Sequence, residues 1–434
     1  MFKDAGSQAE RVAAAPNADN FSLADMFAAE GASLLDRVAP FSRYFRSESA
    51  SGRALYGREL LGPAARRVTV RDHAGTVREM VMLGSNNYLG LTTDPHVIWR
   101  VRKALDEYGC GVAGPPLLNG MSRLHRELEE KLAGVKGHAD AMLFGSGFQA
   151  NQGWLCGLAR KGDVLIYDEL HHASMFDAVA MAGERIHPMR FRHNDMTHLE
   201  ALLKRYTAQR KPGNQIFIAV EGVYSMDGDL APLPHIVSLC RKYDAICSLD
   251  DAHGTGVLGP RGHGTAEHFG LDSGIDLAMG TFSKTFGVTG GFLAAGREII
   301  DYLRFFARPY MFSAHLPCTV VAAVLGGLEV MEREPERIRQ LQDNARYLRQ
   351  GLAALGIDVP GVSAILAVRI PASVDIRAMN LLFHEQGLFL NSIEYPAVPR
   401  DTQRLRLSPM ATHTREDLDF AIDTFRLVMR RFGL

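Results

Sequence analysis

A chain of 434 residues, 47% apolar and 22% charged, can bury a substantial core and is neither a disordered nor a collagenous sequence. Its 48 basic and 49 acidic residues leave a formal charge of −1, which excludes a general polyanion binder, since nucleic-acid binding needs an excess of Lys and Arg. Only nine of the basic residues are lysines, the last of them Lys284, so candidates for an amine nucleophile are few.

The first 50 residues are rich in Ala and Ser, and Met26, Phe27, Leu34, Leu35 and Val38 predict a helix over 23–43, an arm that packs on a partner subunit or a membrane surface. Early acids (Asp4, Glu10) without an apolar segment argue against a secretory signal, and no run of about 18 apolar residues predicts a membrane span. Five cysteines without CxxC spacing predict buried free thiols in a reducing cytosol rather than disulfides or a metal site. Alternating residues over 68–82, around a turn at 72–75, predict a hairpin. Asp94 as cap, Pro95 at the first helical position and Gly109 as stop predict the next helix, and Leu124, Leu128 and Leu132 mark another over 122–132.

From residue 140 short apolar strands alternate with helical stretches. The strands fall at 141–144, 164–167, 186–191, 216–221, 246–250, 277–280 and 291–294. Several are continuously apolar, as in sheets buried on both faces, and the spacing leaves room for crossover helices. The expected fold is α/β with a mainly parallel sheet of about seven strands. After residue 320 come helices over 320–331 and 335–355, strands at 365–370, 387–392 and 405–408, and a helix opened by the Thr414-x-x-Asp417 capping pattern. The division reads as an arm and hairpin start over 1–75, a large domain over 76–320 and a small α+β domain over 321–434.

Chemistry-bearing residues gather at the ends of these strands, where open α/β sheets bind ligands. Lys284 sits in Gly280-Thr-Phe-Ser-Lys-Thr-Phe-Gly287 without charged neighbours in the segment, a setting in which a lysine loses its proton readily. Asp250 ends a strand, suited to a protonated ring nitrogen, and His253 follows it. A metal pair there would lack ligands. Phe144-Gly-Ser-Gly-Phe-Gln-Ala-Asn151 is a strand-to-helix junction whose N–H groups suit a phosphate, though it is neither a Walker loop nor GxGxxG. His171 and His172 follow another strand, where one of them can stack on a planar ring. Phosphate cradle, stacking His, ring-nitrogen Asp and amine together are what pyridoxal 5′-phosphate requires.

On these residues, and on Gly84-Ser-Asn-Asn-Tyr-Leu-Gly90, Leu118-Asn-Gly120, Glu221-Gly-Val-Tyr-Ser-Met-Asp-Gly228 and Arg308-Pro-Tyr-Met-Phe-Ser313, the chain resembles the α-oxoamine synthases over roughly 80–430. These are fold-type-I pyridoxal-phosphate enzymes that condense an amino acid with an acyl-CoA and release CO₂. The resemblance implies Lys284 as the amine that carries the cofactor and serves as base, Asp250 at the pyridine nitrogen, His253 at the phenolic oxygen and His172 on the ring. It further implies that Gly147, Phe148, Ser225, Thr281 and Ser283 contact the cofactor. Ser313 and Ala314 would reach the partner subunit's phosphate, Asn87 would approach across the same homodimer interface, and Arg406 would bind the substrate carboxylate. Within the family the motifs are most similar to the bacterial serine palmitoyltransferase type, with L-serine favoured. Relatives using glycine or alanine with another acyl-CoA or a carrier-protein thioester (the glycine C-acetyltransferase and 8-amino-7-oxononanoate synthase types) are the alternative. Two departures stand out: Glu394 where serine palmitoyltransferases have an arginine, and Pro116 where many relatives have one before Leu-Leu-Asn-Gly. An aminotransferase or aldolase would also use Lys284 and Asp250, but its product would be no aminoketone.

Overall fold

The sequence dictates a sheet buried on both sides, and the computed structural model, which describes residues 30–271 and 273–434, has one. The chain enters through the helix Leu34–Ala50, closed at its start by a Ser33–Asp36 capping box and ended by Ser51 and Gly52, the latter at φ +73°. It runs beyond the expected end at 43, carrying Pro40 inside it, as far as the glycine stop. The expected residues 23–29, with Met26 and Phe27, lie outside the described residues. Strand β1 (Glu59–Leu60) and the predicted hairpin, β2 (Arg67–Arg71) and β3 (Val77–Met82), follow. The helix Pro95–Tyr108 has its predicted Asp94 cap and Gly109 stop, and Arg123–Lys136 begins after Ser122.

Seven strands form the main sheet: β4 (Asp140–Phe144), β5 (Asp163–Asp168), β6 (Ile186–Phe191), β7 (Ile216–Glu221), β8 (Ile246–Asp250), β9 (Leu277–Thr281) and β10 (Gly291–Ala295), in the order β4-β10-β9-β8-β7-β5-β6. All neighbours are parallel except β10, which runs antiparallel to β4 and β9. The continuous apolar runs are explained by the two cores. In β7, Phe217 and Ala219 join Trp154, Phe144 and Leu165 on one face, while Ile216, Ile218 and Val220 join Phe191 and Leu249 on the other. Alternation persists, but both faces are dry.

The remaining chain packs helices Cys318–Arg333, Glu336–Ala353 and Arg415–Arg431 with β11 (Leu366–Arg369), β12 (Leu388–Phe389), β13 (Asn391–Ile393) and β14 (Arg404–Leu407). Three features differ from expectation. The strand expected over 387–392 divides at buried Leu390: β12 pairs in parallel with β3, whereas β13 pairs with β14, so one apolar run serves two sheets. A helix, Ile376–Glu385, occupies the stretch between β11 and β12; Asp375 caps it by accepting from the N–H of Arg377 and Ala378. Finally, Cys156, Cys240, Cys247 and Cys318 are buried thiols as expected, but Cys110 is exposed in the loop after Gly109. Among the described residues no helix is long and apolar enough to cross a membrane.

Candidate active site

The carboxyl ends of the parallel strands set the site. Registry places Glu221 of β7 opposite Asp250 of β8, and Gly291, at the start of β10, opposite both Phe144 and Thr281. Gly147 begins the helix Gly147–Leu158 just past β4, with Ser146 as its cap. A Cβ on Gly147 would lie 2.9 Å from Cβ of Thr281, and one on Gly291 would lie 2.5 Å from the backbone N of Gly147. The strand thus passes against the helix N-terminus only because both positions lack side chains. Thr281 Oγ1 lies 2.9 Å from Ser283 Oγ and donates to the Gly290 carbonyl at 3.0 Å. Two hydroxyls and a helix N-terminus therefore converge, a donor set that fits a phosphate. We expect Gly291→Ala to lower Tm by several degrees and to weaken retention of pyridoxal phosphate, measured by calorimetry and by cofactor content after dialysis, since backbone cannot yield to the added methyl.

Asp250 is buried, accepts from Nδ2 of Asn151 at 2.8 Å on one oxygen and from the N–H of Ala252 at 3.1 Å on the other. The same Asn151 nitrogen donates to Ser174 Oγ at 2.9 Å, and Ser174 Oγ lies 2.9 Å from Nδ1 of His172. His172 caps the helix Ala173–Ala182 and meets Phe148 edge-on at 6.1 Å. Of the two histidines after β5, His172 lines the cavity and His171 is buried away from solvent. His253 is buried with Nδ1 2.7 Å from the Tyr88 hydroxyl. Burial, then the charges of Lys284 and Arg406, hold its imidazole well below the usual range, so it is neutral.

Lys284 shares the cavity with His172, Ser225, His253 and Arg406. Burial depresses its amine to about 8, although Asp250 and Glu221 pull the other way. Those two carboxyls are the charged neighbours that its own segment lacks. Glu221 itself is pushed well above the ordinary carboxylate range, by burial first and then by Asp250, with Lys284 opposing. Arg406 donates from Nε to the Ser225 carbonyl at 2.7 Å, and both its terminal nitrogens lie 3.1 Å from Oδ1 of Asn86.

Not all expected residues converge. Asn87 turns its Nδ2 to the Ala64 carbonyl and Thr92 Oγ1, so Asn86 lines this chain's cavity instead. Ser313 and Ala314, past the short helix Arg308–Met311, do not line it either, and Asp250, Gly147, Phe148, Thr281 and Ser283 are likewise outside its lining. Glu394 does line it, with both oxygens on Nε of Arg377 at 2.9 and 3.0 Å. Pro116 is buried at the start of the turn Pro116–Gly120.

Sequence reasoning assigned no role to His193, whose ring bridges Asp168 at 3.0 Å and Asp229 at 2.8 Å and so ties the end of β5 to the turn before Pro232. Burial opposes its charge, yet the two carboxylates prevail and raise it to about 10. A raised value means that the stabilisation is complete below the unfolded histidine's pKa and is lost as pH rises through about 10. Wild-type Tm should therefore fall between neutral pH and that point, and His193→Gln should flatten this limb in thermal melts across pH.

A family profile described as Aminotransferase class I and II matches residues 78–425. 8-Amino-7-oxononanoate synthase from Symbiobacterium thermophilum is 41% identical over 359 residues, covering 82% of this chain and 90% of its own. Serine palmitoyltransferase from Sphingobacterium spiritivorum is 39% identical over 355 residues, covering 82% and 88%. Among solved structures, a variant serine palmitoyltransferase from S. paucimobilis with a bound PLP–myriocin aldimine matches with a TM-score of 0.85 and 32% identity, over 92% of this chain and 99% of that one.

Proposed function

The chain belongs to the α-oxoamine synthases, pyridoxal-phosphate-dependent acyltransferases of fold type I, and on that premise we propose that it condenses a small amino acid, L-serine by preference, with an acyl-CoA, releasing CoA and CO₂ to leave an aminoketone. The observation that carries this reading is one cavity of about 670 Å³ whose lining joins Lys284, His172 and Arg406 with the apolar Phe41, Phe45, Leu55 and Leu381, among paired charges such as Arg377 and Glu394. An amino acid and an acyl chain are the two chemistries that such a cavity serves.

Pyridoxal phosphate, when bound, supplies the electron sink for the α-carbon. Gly147, Phe148, Thr281 and Ser283 would hold its phosphate, Asp250 its ring nitrogen, His253 its phenolic oxygen and His172 its face, with Ser225 beside them. Arg406, steadied by Asn86 and the Ser225 carbonyl, fixes the amino-acid carboxylate. Lys284, at about 8, retains a usable neutral fraction near neutral pH and takes the α-proton. Neutral His253, with Nδ1 2.7 Å from the Tyr88 hydroxyl, adds no second cation beside Lys284. In the overall reaction a C–C bond to the acyl carbon replaces its C–S bond, CoA leaves as the thiol and the carboxylate leaves as CO₂.

A homodimer with shared sites completes the proposal. Ser313, Ala314 and Asn87, which do not line this chain's cavity, would serve the partner's, and Phe312 and Leu118 near them are exposed apolar residues of the kind that an interface covers. The product class would be that of sphingolipid biosynthesis. The second reading, a glycine- or alanine-using synthase of the 8-amino-7-oxononanoate type with another acyl-CoA or a carrier-protein thioester, is favoured by the comparable identity to enzymes of that name. Spectrophotometric titration of the yellow protein with serine, alanine and glycine, followed by thiol release with short, medium and long acyl-CoAs, decides between them. Saturation by serine with long acyl-CoAs is expected. Saturation by alanine or glycine alone, or turnover only with a carrier-protein thioester, establishes the second reading.

A further inference from the structure

The helix Leu34–Ala50 turns Phe41, Tyr44, Phe45 and Glu48 onto the cavity, the i, i+3, i+4, i+7 spacing of a single helical face. Val38 and Leu34 continue the Phe45–Phe41 stripe toward the start of the helix. Exposure rises along it, from half-buried Phe45 through Phe41 at 38% and Val38 at 48% to Leu34 at 66%, so the stripe climbs out of the cavity to the surface. No residue of this helix is buried, and Pro40 interrupts its hydrogen bonding. It is seated by the Tyr44 hydroxyl on Arg377 at 3.1 Å and by Phe45 edge-on to His73 at 5.5 Å. Leu381, Leu390 and Ile393 line the same cavity. An amphipathic helix that joins no core and faces open volume with its apolar stripe has an apolar surface still to be covered.

We propose that this stripe seats the alkyl tail of the acyl thioester, a proposal that rests on the condensation argued above. The thioester carbonyl lies toward Lys284, the tail passes between Leu381 and the Phe45–Phe41 pair, and its distal carbons leave along Val38 and Leu34. Chain length then decides how much of the stripe is covered, which makes Phe41 and Val38 determinants of acyl length. An unsubstituted alkyl tail suits the arginines of this cavity as they stand: Arg377 and Arg53 face Glu394 and Glu48, and Arg58 lies over the Phe389 ring with a terminal nitrogen 2.9 Å from Nδ1 of His384.

The test compares the holoenzyme with Phe41→Asp and Leu381→Trp variants. Thiol release is measured over short, medium and long acyl-CoAs, and binding of an unreactive long-chain S-alkyl-CoA thioether by calorimetry. The ratio of long- to short-chain kcat/KM should fall roughly tenfold or more in each variant, since single methylenes in an apolar pocket carry effects of that order. Binding of the thioether should weaken in parallel. Equal losses at all chain lengths with unchanged thioether binding would overturn the seat. If wild type turns over no acyl-CoA, the functional reading fails by itself, and the thioether arm still decides the seat: binding lost in Phe41→Asp supports it, and equal binding refutes it.

Discussion

Lys284→Ala should yield a colourless protein with no measurable product. The loss is expected at the upper end of the roughly 10²–10⁴-fold that a positioned acid–base group contributes, because the same nitrogen would anchor the cofactor. The variant should still fold. Burial is the largest influence on this amine and disfavours its charge, so the fold gives up little when the amine is removed, and Tm should stay within a few degrees of wild type. Lys284→Arg should fail as completely, since a guanidinium does not deprotonate. Absorbance scans, thiol release and calorimetry on the same preparations check all three statements. Retained colour together with product would remove Lys284 from the mechanism.

The pH dependence follows from the same burial. Capture of added pyridoxal phosphate by the cofactor-free protein requires the neutral amine, so its rate should rise with pH and level off above about 8, far below the ordinary lysine value. Stopped-flow absorbance across mildly acidic to alkaline buffers measures it. A midpoint near the ordinary value would mean that the amine is not buried as described.

How much of this was legible beforehand depends on the range over which each residue acts. Lys284, Asp250, His253 and His172 were readable because each follows an apolar strand within its own segment, and a strand end is a local signal. Their supports act over long range. Tyr88 lies 165 positions from His253, and Asn86 lies 320 from Arg406. Glu221 becomes a neighbour of Asp250 only through the β7–β8 register. The main sheet was legible for the converse reason, since its strands are continuously apolar. The run over 387–392 looked like one strand because pattern does not reveal that Leu390 is a pivot between two sheets. The helix Ile376–Glu385 carried a usable signal that reading passed over: the Asp375 cap, followed by Ile376, Met379 and Phe383 on one face.

Asp250→Asn should retain a bound, coloured cofactor yet lose roughly 10²–10³-fold in kcat, the scale found when one pre-organised electrostatic partner is removed. The contrast with Lys284→Ala is the informative part. Asp250 makes no covalent bond; its carboxylate would keep the ring nitrogen protonated, which an amide of the same shape cannot do. The surroundings are built for the charged form, for Asn151 and the Ala252 N–H both donate to it. After the change one of those donors faces an NH₂ group or the amide turns its NH₂ away from the ring nitrogen, so neither orientation restores the wild-type arrangement. Asn151→Ala should therefore reproduce part of the defect, about tenfold, the loss of one hydrogen bond to a charged group. It should also loosen His172, because the same Asn151 nitrogen holds Ser174 and Ser174 holds the ring. Combining Asn151→Ala with Asp250→Asn should cost less than the product of the separate losses, since both act on a single carboxylate. Full additivity would show that Asn151 works through His172 alone.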